Sequence, residues 1–269
     1  MKLCRFQPLV FPSAEMGRGP SYPEPRFGFI VGEALQEMTG SIYGGWTLKD
    51  RWIPLDDVKL LPPVTPSKIV CVGRNYREHA AEMGNEVPKE PLLFFKPPSA
   101  IIGPEEPIVL PKLSKRVEHE GELAVIIGKK CYQLAESDDV RPYIFGYTCL
   151  NDVTARDLQK TDAQFTRAKG FDTFCPMGPL IETEFDFAAA KVETRVNGAV
   201  RQSAPATDMI FSVDVMIRFI TQVMTLLPGD VIATGTPAGV GPLVAGDVVE
   251  VSVSGIGTLR NTVVNPFPM

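Results

Sequence analysis

Two glutamates one residue apart, Glu120 and Glu122, stand at the mouth of an apolar run, and an Asn151-Asp152 pair follows further along the chain. Side chains two apart on a strand leave the same face, so the glutamates point together while Leu123, Val125 and Ile127 carry the strand into a core. Like charges held that close repel, and unless a cation sits between them one carboxyl must take its proton back. With Asp152 they offer three carboxylates, a cage for a hard divalent cation. All-oxygen ligation favours Mg²⁺, Mn²⁺ or Ca²⁺ over zinc. Two plainer readings stand beside this one. Glu-x-Glu also occurs on exposed strands facing the lysines of a neighbour, and Asp152 would serve equally as the N-cap of a helix beginning near Val153.

A second constellation lies upstream. Lys68 to Val72 is a β-rich run ending at Gly73, after which Asn75 starts a short predicted helix with Glu78 at the capping-box position and Gly84 to stop it. His79 and Glu82, three apart, share a face of that helix. Such a pair is either a general base whose tautomer is fixed by a carboxylate or two solvated neighbours. His119 points the opposite way from Glu120 in a strand and is read as structural.

The elements that must position these groups are mostly strands. Residues 1 to about 65 alternate short strand-like runs, Arg26 to Val31 among them, with Pro- and Gly-rich turns. They end in the stiff connector Leu61-Pro62-Pro63-Val64-Thr65-Pro66, which divides a small N-terminal domain (1–65) from a larger one (66–269). From Leu92 to Ile127 strand follows strand. The second long helix waits until Ser212, behind which Val213, Met216, Ile217, Ile220 and Met224 recur at helical spacing as a core-packing stripe. Asp230 to Ala233, the glycine-rich turn Gly235 to Gly241 and the alternating strand Val248 to Val253 complete a chain that reads as mainly β, of the α+β class. No Gly-Lys-Ser/Thr follows the turn, and a strand rather than a helix comes next, so it is no phosphate loop. It shapes backbone amides around a ligand or makes a hairpin.

Composition bounds the rest. The 269 residues carry a net charge of −5, with 44% apolar and 22% charged residues, an ordinary soluble mix able to bury a large core. That acidic balance, with no local basic cluster, argues against a nucleic-acid or anionic-membrane partner. The five cysteines are odd in number, far apart and free of C-x-x-C, against a disulfide framework or zinc site and in keeping with a reducing cytoplasm. Gln7, Pro8 and Pro12 break the N-terminal apolar content before a signal-peptide core forms, and nothing approaches the run of about eighteen apolar residues that a membrane helix needs. The expectation is a soluble, unprocessed cytoplasmic protein.

Several motifs recur in a familiar order: Gly73-Arg74-Asn75-Tyr76 with His79-Ala80-Ala81-Glu82, Glu120-Gly121-Glu122-Leu123, Asn151 to Gln159, Lys169-Gly170-Phe171-Asp172 and Gly235-Thr236-Pro237. From about Ser67 to the C-terminus the chain resembles the fumarylacetoacetate hydrolase family, and the first sixty-odd residues look like the small N-terminal domain of many bacterial members. The resemblance implies a β-sandwich roll with short helices, usually a homodimer, holding Mg²⁺ or Mn²⁺ on Glu120, Glu122 and Asp152. It makes Lys169 the active-site lysine, Gln159 a substrate-positioning amide and His79 with Glu82 the dyad of the acylpyruvate hydrolase and oxaloacetate decarboxylase branch. Glu118-His119 replaces the Asp-aromatic pair of many members, and Pro12 to Pro25 looks like a local elaboration.

The expected chemistry is hydrolytic C–C cleavage of an acylpyruvate or related β-diketo acid. The chelated keto oxygen carries enolate charge beside the cation, and His79 activates water. Arg74 and Arg156 are candidates for gripping the substrate carboxylate, although Arg156 would equally pair with Asp157 or Asp172, and Thr236 offers its hydroxyl or amide to the same group. Without the motif, Lys169 would be a surface lysine paired with Asp172. The alternatives are oxaloacetate decarboxylation, isomerisation or decarboxylation of a 2-hydroxy-diene-dioate (2-hydroxyhepta-2,4-diene-1,7-dioate) in aromatic catabolism, and a non-catalytic metal-binding protein.

Overall fold

The apolar run after Glu120 forms the strand Gly121–Ile127, every residue of which is buried. Leu123, Val125 and Ile127 fill one face as expected, and Ala124 and Ile126 are buried on the other, against Cys71, Leu150 and Ala233. A strand covered on both sides must lie inside a sheet, and this one pairs with Ile144–Asn151 and Val231–Ala233. The computed structural model describes residues 1–9 and 23–266, so the Pro12 to Pro25 stretch lies, as far as Tyr22, outside the described residues.

The main sheet runs Gly44–Pro54, Ala34–Ser41, Arg26–Val31, Lys2–Pro8, Cys175–Glu182, Ile144–Asn151, Gly121–Ile127, Val231–Ala233, Ile69–Gly73, Leu92–Lys96. A second sheet, Ala199–Pro205, Lys191–Val196, Val248–Val253, Gly257–Val264 and Ile108–Val109, packs Val192, Val251, Val253 and Leu259 against Leu123, Cys149 and Leu180. The result is a mainly β sandwich. A small third sheet joins Val117–His119 to Thr154–Ala155 and Gly241–Pro242, bringing the end of the glycine-rich turn beside the glutamates.

Four α-helices occur among the described residues: α1 (Arg77–Glu82), α2 (Arg156–Thr161), α3 (Thr166–Lys169) and α4 (Val213–Val223). Ser212 caps α4, and Val213, Met216, Ile217 and Ile220 are buried against Val70, Val125 and Ile232. Gly84, at φ +68°, follows α1 as anticipated. The start of α1 differs from expectation. Tyr76 occupies its N-cap without a side-chain bond, whereas Asn75 donates Nδ2 to the carbonyls of Phe211 and Thr234 and accepts from Phe211 N. A buried amide that can satisfy backbone groups of two distant segments is worth more there than at a helix end. Asp152 is no cap either, because Thr154–Ala155 is extended and α2 begins only at Arg156. No helix among the described residues is long and apolar enough to cross a membrane.

Two positions test this packing. A Cβ on Gly121 would lie 2.0 Å from Thr194 Oγ1 in the second sheet, so only glycine lets the sheets approach here. Gly121→Ala should cost about 1–3 kcal/mol, read as a drop of roughly 2–4 °C in Tm per kcal/mol. Glu37 is buried yet meets Lys49 at 2.6 Å, Arg26 at 3.4 Å and Arg51 at 3.5 Å. Burial pushes its carboxyl up, but the Lys49 hydrogen bond and the surrounding cations outweigh it and hold the group below the usual range. A depressed folded value means stabilisation present above the unfolded value near ~4.3 and lost as pH falls through the folded one. Glu37→Gln should therefore lower Tm at pH 7, and the gap to wild type should close in acid.

Candidate active site

Strand pairing joins the two acidic segments before any side chain does: Asp152 N donates to Glu120 O at 2.8 Å and Glu120 N to Asn151 Oδ1 at 3.0 Å. Glu120, Glu122 and Asp152 are all buried, and each can place an oxygen so that the three lie within 4.8 Å of one another. Around them runs a ring of cations. Lys169 Nζ, at the end of α3, donates to Glu120 Oε2 at 2.7 Å and Asp152 Oδ2 at 2.6 Å, and it lies 5.0 Å from the Phe94 ring centroid. The pair with Asp172 does not form. Arg156, on the first turn of α2, bonds Glu118, Glu120 and Gln159.

This arrangement corrects one expectation. Arg156 pairs with neither Asp157 nor Asp172: it bonds Glu118, Glu120 and Gln159 while lining the cavity beside the carboxylates. Asp157 instead takes Ser114 and Lys115 N, because it faces the Arg116 side of α2. Thr236 lines the same cavity, and its hydroxyl donates to Gly121 O at 2.8 Å and accepts from Gln202 Nε2 at 2.7 Å, which leaves its amide as the group to offer. Arg74 differs. It sits at φ +58° on the rim of the cavity and has no hydrogen-bond or ion-pair partner among the described residues. Gln159 also lines this space, with Nε2 still open.

His79 is buried, and its Nδ1 lies 3.1 Å from Glu82 Oε2, while Glu82 Oε1 accepts from Gly239 N at 3.0 Å. The dyad geometry is thus in place, and α1 is tied through Glu82 to the glycine-rich turn. His79, Arg74 and the three carboxylates line one cavity of about 240 Å³.

Two groups here were not foreseen. Lys96, at the end of Leu92–Lys96, is fully buried and donates to Asp152 Oδ1 at 2.6 Å and Val153 O at 3.1 Å. A lone charge closing an otherwise apolar strand was its only signal. Gln202 braces the acidic segment from the second sheet. It accepts from Gly121 N at 3.0 Å and donates to Pro237 O at 2.7 Å, and nothing in its alternating strand marks it. His119 donates to the same side chain and stays out of the cavity, as its structural reading expected.

Electrostatics separates the three carboxylates. Burial pushes Glu120 up, but Lys169, Arg156 and His79 outweigh it and hold the group far below the usual carboxylate range. Lys169 is penalised by burial, yet Asp152 and Glu120 raise it. Glu122 has less help, since Lys169 acts on it only weakly and from a distance. Gly235 N, at 2.8 Å, is its hydrogen-bond partner, and burial together with Asp152 and Glu120 drives its carboxyl well above the ordinary value. An all-oxygen donor set with one carboxylate lacking a cation fits a hard divalent ion.

Residues 68–264 match the fumarylacetoacetate (FAA) hydrolase C-terminal family, and residues 20–63 match an Rv2993c-like N-terminal family. The chain belongs to the fumarylacetoacetate hydrolase family. Within this enzyme family, oxaloacetate tautomerase YisK of Bacillus subtilis is 44% identical over 224 residues, 78% of this chain and 74% of that one. The crystal structure of 2-hydroxyhepta-2,4-diene-1,7-dioate isomerase from Mycobacterium marinum superposes with TM-score 0.86 at 43% identity, covering 100% of both chains. Maleylpyruvate hydrolase from Sphingobium sp. SYK-6, in complex with manganese(II) and pyruvate, gives TM-score 0.77 at 33% identity over 99% of this chain and 100% of that one.

If Glu122 is the carboxylate that lacks a cation, a neutral isostere should suit the metal-free protein. Glu122→Gln should leave metal-free Tm unchanged or raised. Its Tm should no longer rise with Mn²⁺, whereas the wild type should gain about 2.7 kcal/mol at a hundredfold excess over Kd. Calorimetry with and without the ion checks both halves.

Proposed function

We propose that the protein interconverts the keto and enol forms of a small 2-oxo dicarboxylic acid of the oxaloacetate type, with Mg²⁺ or Mn²⁺. The observation that carries this reading is a histidine oriented by a carboxylate and lining one cavity with three clustered acids. Glu120, Glu122 and Asp152 would hold the divalent ion, which when bound supplies positive charge against the keto oxygen and adjacent carboxylate of a chelating 2-oxo acid. Glu82 accepts from His79 Nδ1 and so leaves Nε2 as the lone pair toward the cavity. In enolisation that nitrogen takes a proton from the carbon between the two carbonyl groups and delivers it to the keto oxygen, and in ketonisation it takes the enol hydroxyl proton and delivers it to that carbon. Arg74, with an uncommitted guanidinium, takes the distal carboxylate in two-point fashion. Gln159 Nε2 orients the substrate, and Lys169, bonded to both Glu120 and Asp152, holds Glu120 ionised.

A second reading uses the same base on water: hydrolytic C–C cleavage of an acylpyruvate, supported by the likeness to maleylpyruvate hydrolase. One experiment separates them. Enol oxaloacetate is followed by its ultraviolet absorbance, pyruvate release is measured in parallel, and acetylpyruvate products are weighed by mass spectrometry, where only hydrolysis adds water. Ketonisation faster than the ion in buffer is expected, falling about 10²–10⁴-fold in His79→Ala. Ketonisation at the buffer rate would overturn the first reading, and added water in acetylpyruvate products would then establish the second.

A further inference from the structure

His119 ends the short strand Val117–His119, just before the glutamates, and lines a second cavity of about 530 Å³ beyond the glycine-rich turn. Its protonation pattern can be read from its neighbours. Gln202 Nε2 must face Pro237 O, a pure acceptor, and its Oε1 must face Gly121 N, a pure donor. The Gln202 oxygen therefore meets His119 Nδ1 at 3.0 Å, and Nδ1 carries the hydrogen. In the neutral ring Nε2 is then a lone pair. It lies beside Gly241, where a Cβ would come within 3.5 Å of it, and it has no partner among the described residues.

The walls supply a complementary charge. Arg201 is exposed, lines this cavity and meets no carboxylate among the described residues, whereas Asp247 is already taken by Asn197 Nδ2 and Val244 N, both at 2.8 Å. Both donors to Asp247 are neutral and leave its charge in place, so a ligand anion must sit at the Arg201 end of the cavity. A carboxylate finds Arg201, and a hydroxyl finds the buried lone pair. We propose that this cavity is a second binding site, for a small hydroxycarboxylate whose carboxylate pairs with Arg201 and whose hydroxyl donates to His119 Nε2. Gly239 lines the same cavity while its N–H holds Glu82, so one turn separates this site from the catalytic dyad.

The chain has two histidines, one lining each cavity, so imidazole resonances report the sites separately. Metal-free protein with ¹⁵N-labelled histidine is titrated with L-malate. The His119 ring signals should shift saturably, with apparent affinity about tenfold or more weaker in Arg201→Ala, as loss of a hydrogen bond to a charged group predicts. Gly241→Ala, which sets a methyl against Nε2 without a strained backbone, should weaken the response similarly. His119 signals that stay fixed while malate is raised, or that move identically in Arg201→Ala, would overturn the proposal. The His79 signals answer for the candidate active site, so either site can fail without the other.

Discussion

Three carboxylates buried within a few ångströms of one another dominate the energetics of this molecule. Charges removed from water cost several kcal/mol each unless opposite charge and hydrogen bonds replace the solvent. The chain meets that demand asymmetrically. Lys169 bridges Glu120 and Asp152, Lys96 adds a second cation to Asp152, and Arg156 spans Glu118 and Glu120. Glu122 is left with a backbone amide. The protein's own cations thus neutralise the outer carboxylates and reserve the remaining deficit for one place.

Holding that deficit in place requires tight backbone approach. Gly121 brings the two sheets together at Thr194, and Gln202 reaches across from the second sheet to Gly121 N between the glutamates and to Pro237 O on the glycine-rich turn. Glu82, meanwhile, joins His79 to the turn that supplies the Glu122 amide. His79 and the carboxylates are therefore referred to the same short stretch of backbone, which fixes their relative positions.

Much of this was legible in the residues. The two-residue spacing placed Glu120 and Glu122 on one face, the three-residue spacing joined His79 to Glu82, and the apolar stripe after Ser212 gave α4. What escaped was whatever depended on partners distant in sequence. Asn75 looked like a cap because local rules favour it there, but Phe211 and Thr234 claim its amide. Arg156 looked like a match for Asp157, since sequence cannot show that the helix turns the two apart. Lys96 offers no local signal beyond a charge closing an apolar strand, and only the fold reveals that it ends on Asp152.

The segments that meet at the acidic cluster come from every part of the larger region: Lys96 from an edge strand, Glu120 and Asp152 from the ends of two neighbouring central strands, Lys169 from α3, and Gly235 after the strand parallel to Ile69–Gly73. Such pairings close long loops and form late during folding. A chain emerging from the ribosome or recovering from denaturant consequently has no cation-binding fragment to offer. The three-carboxylate cage becomes a property of the finished molecule alone, and a partly assembled intermediate has no such cage to present to a metal-rich medium.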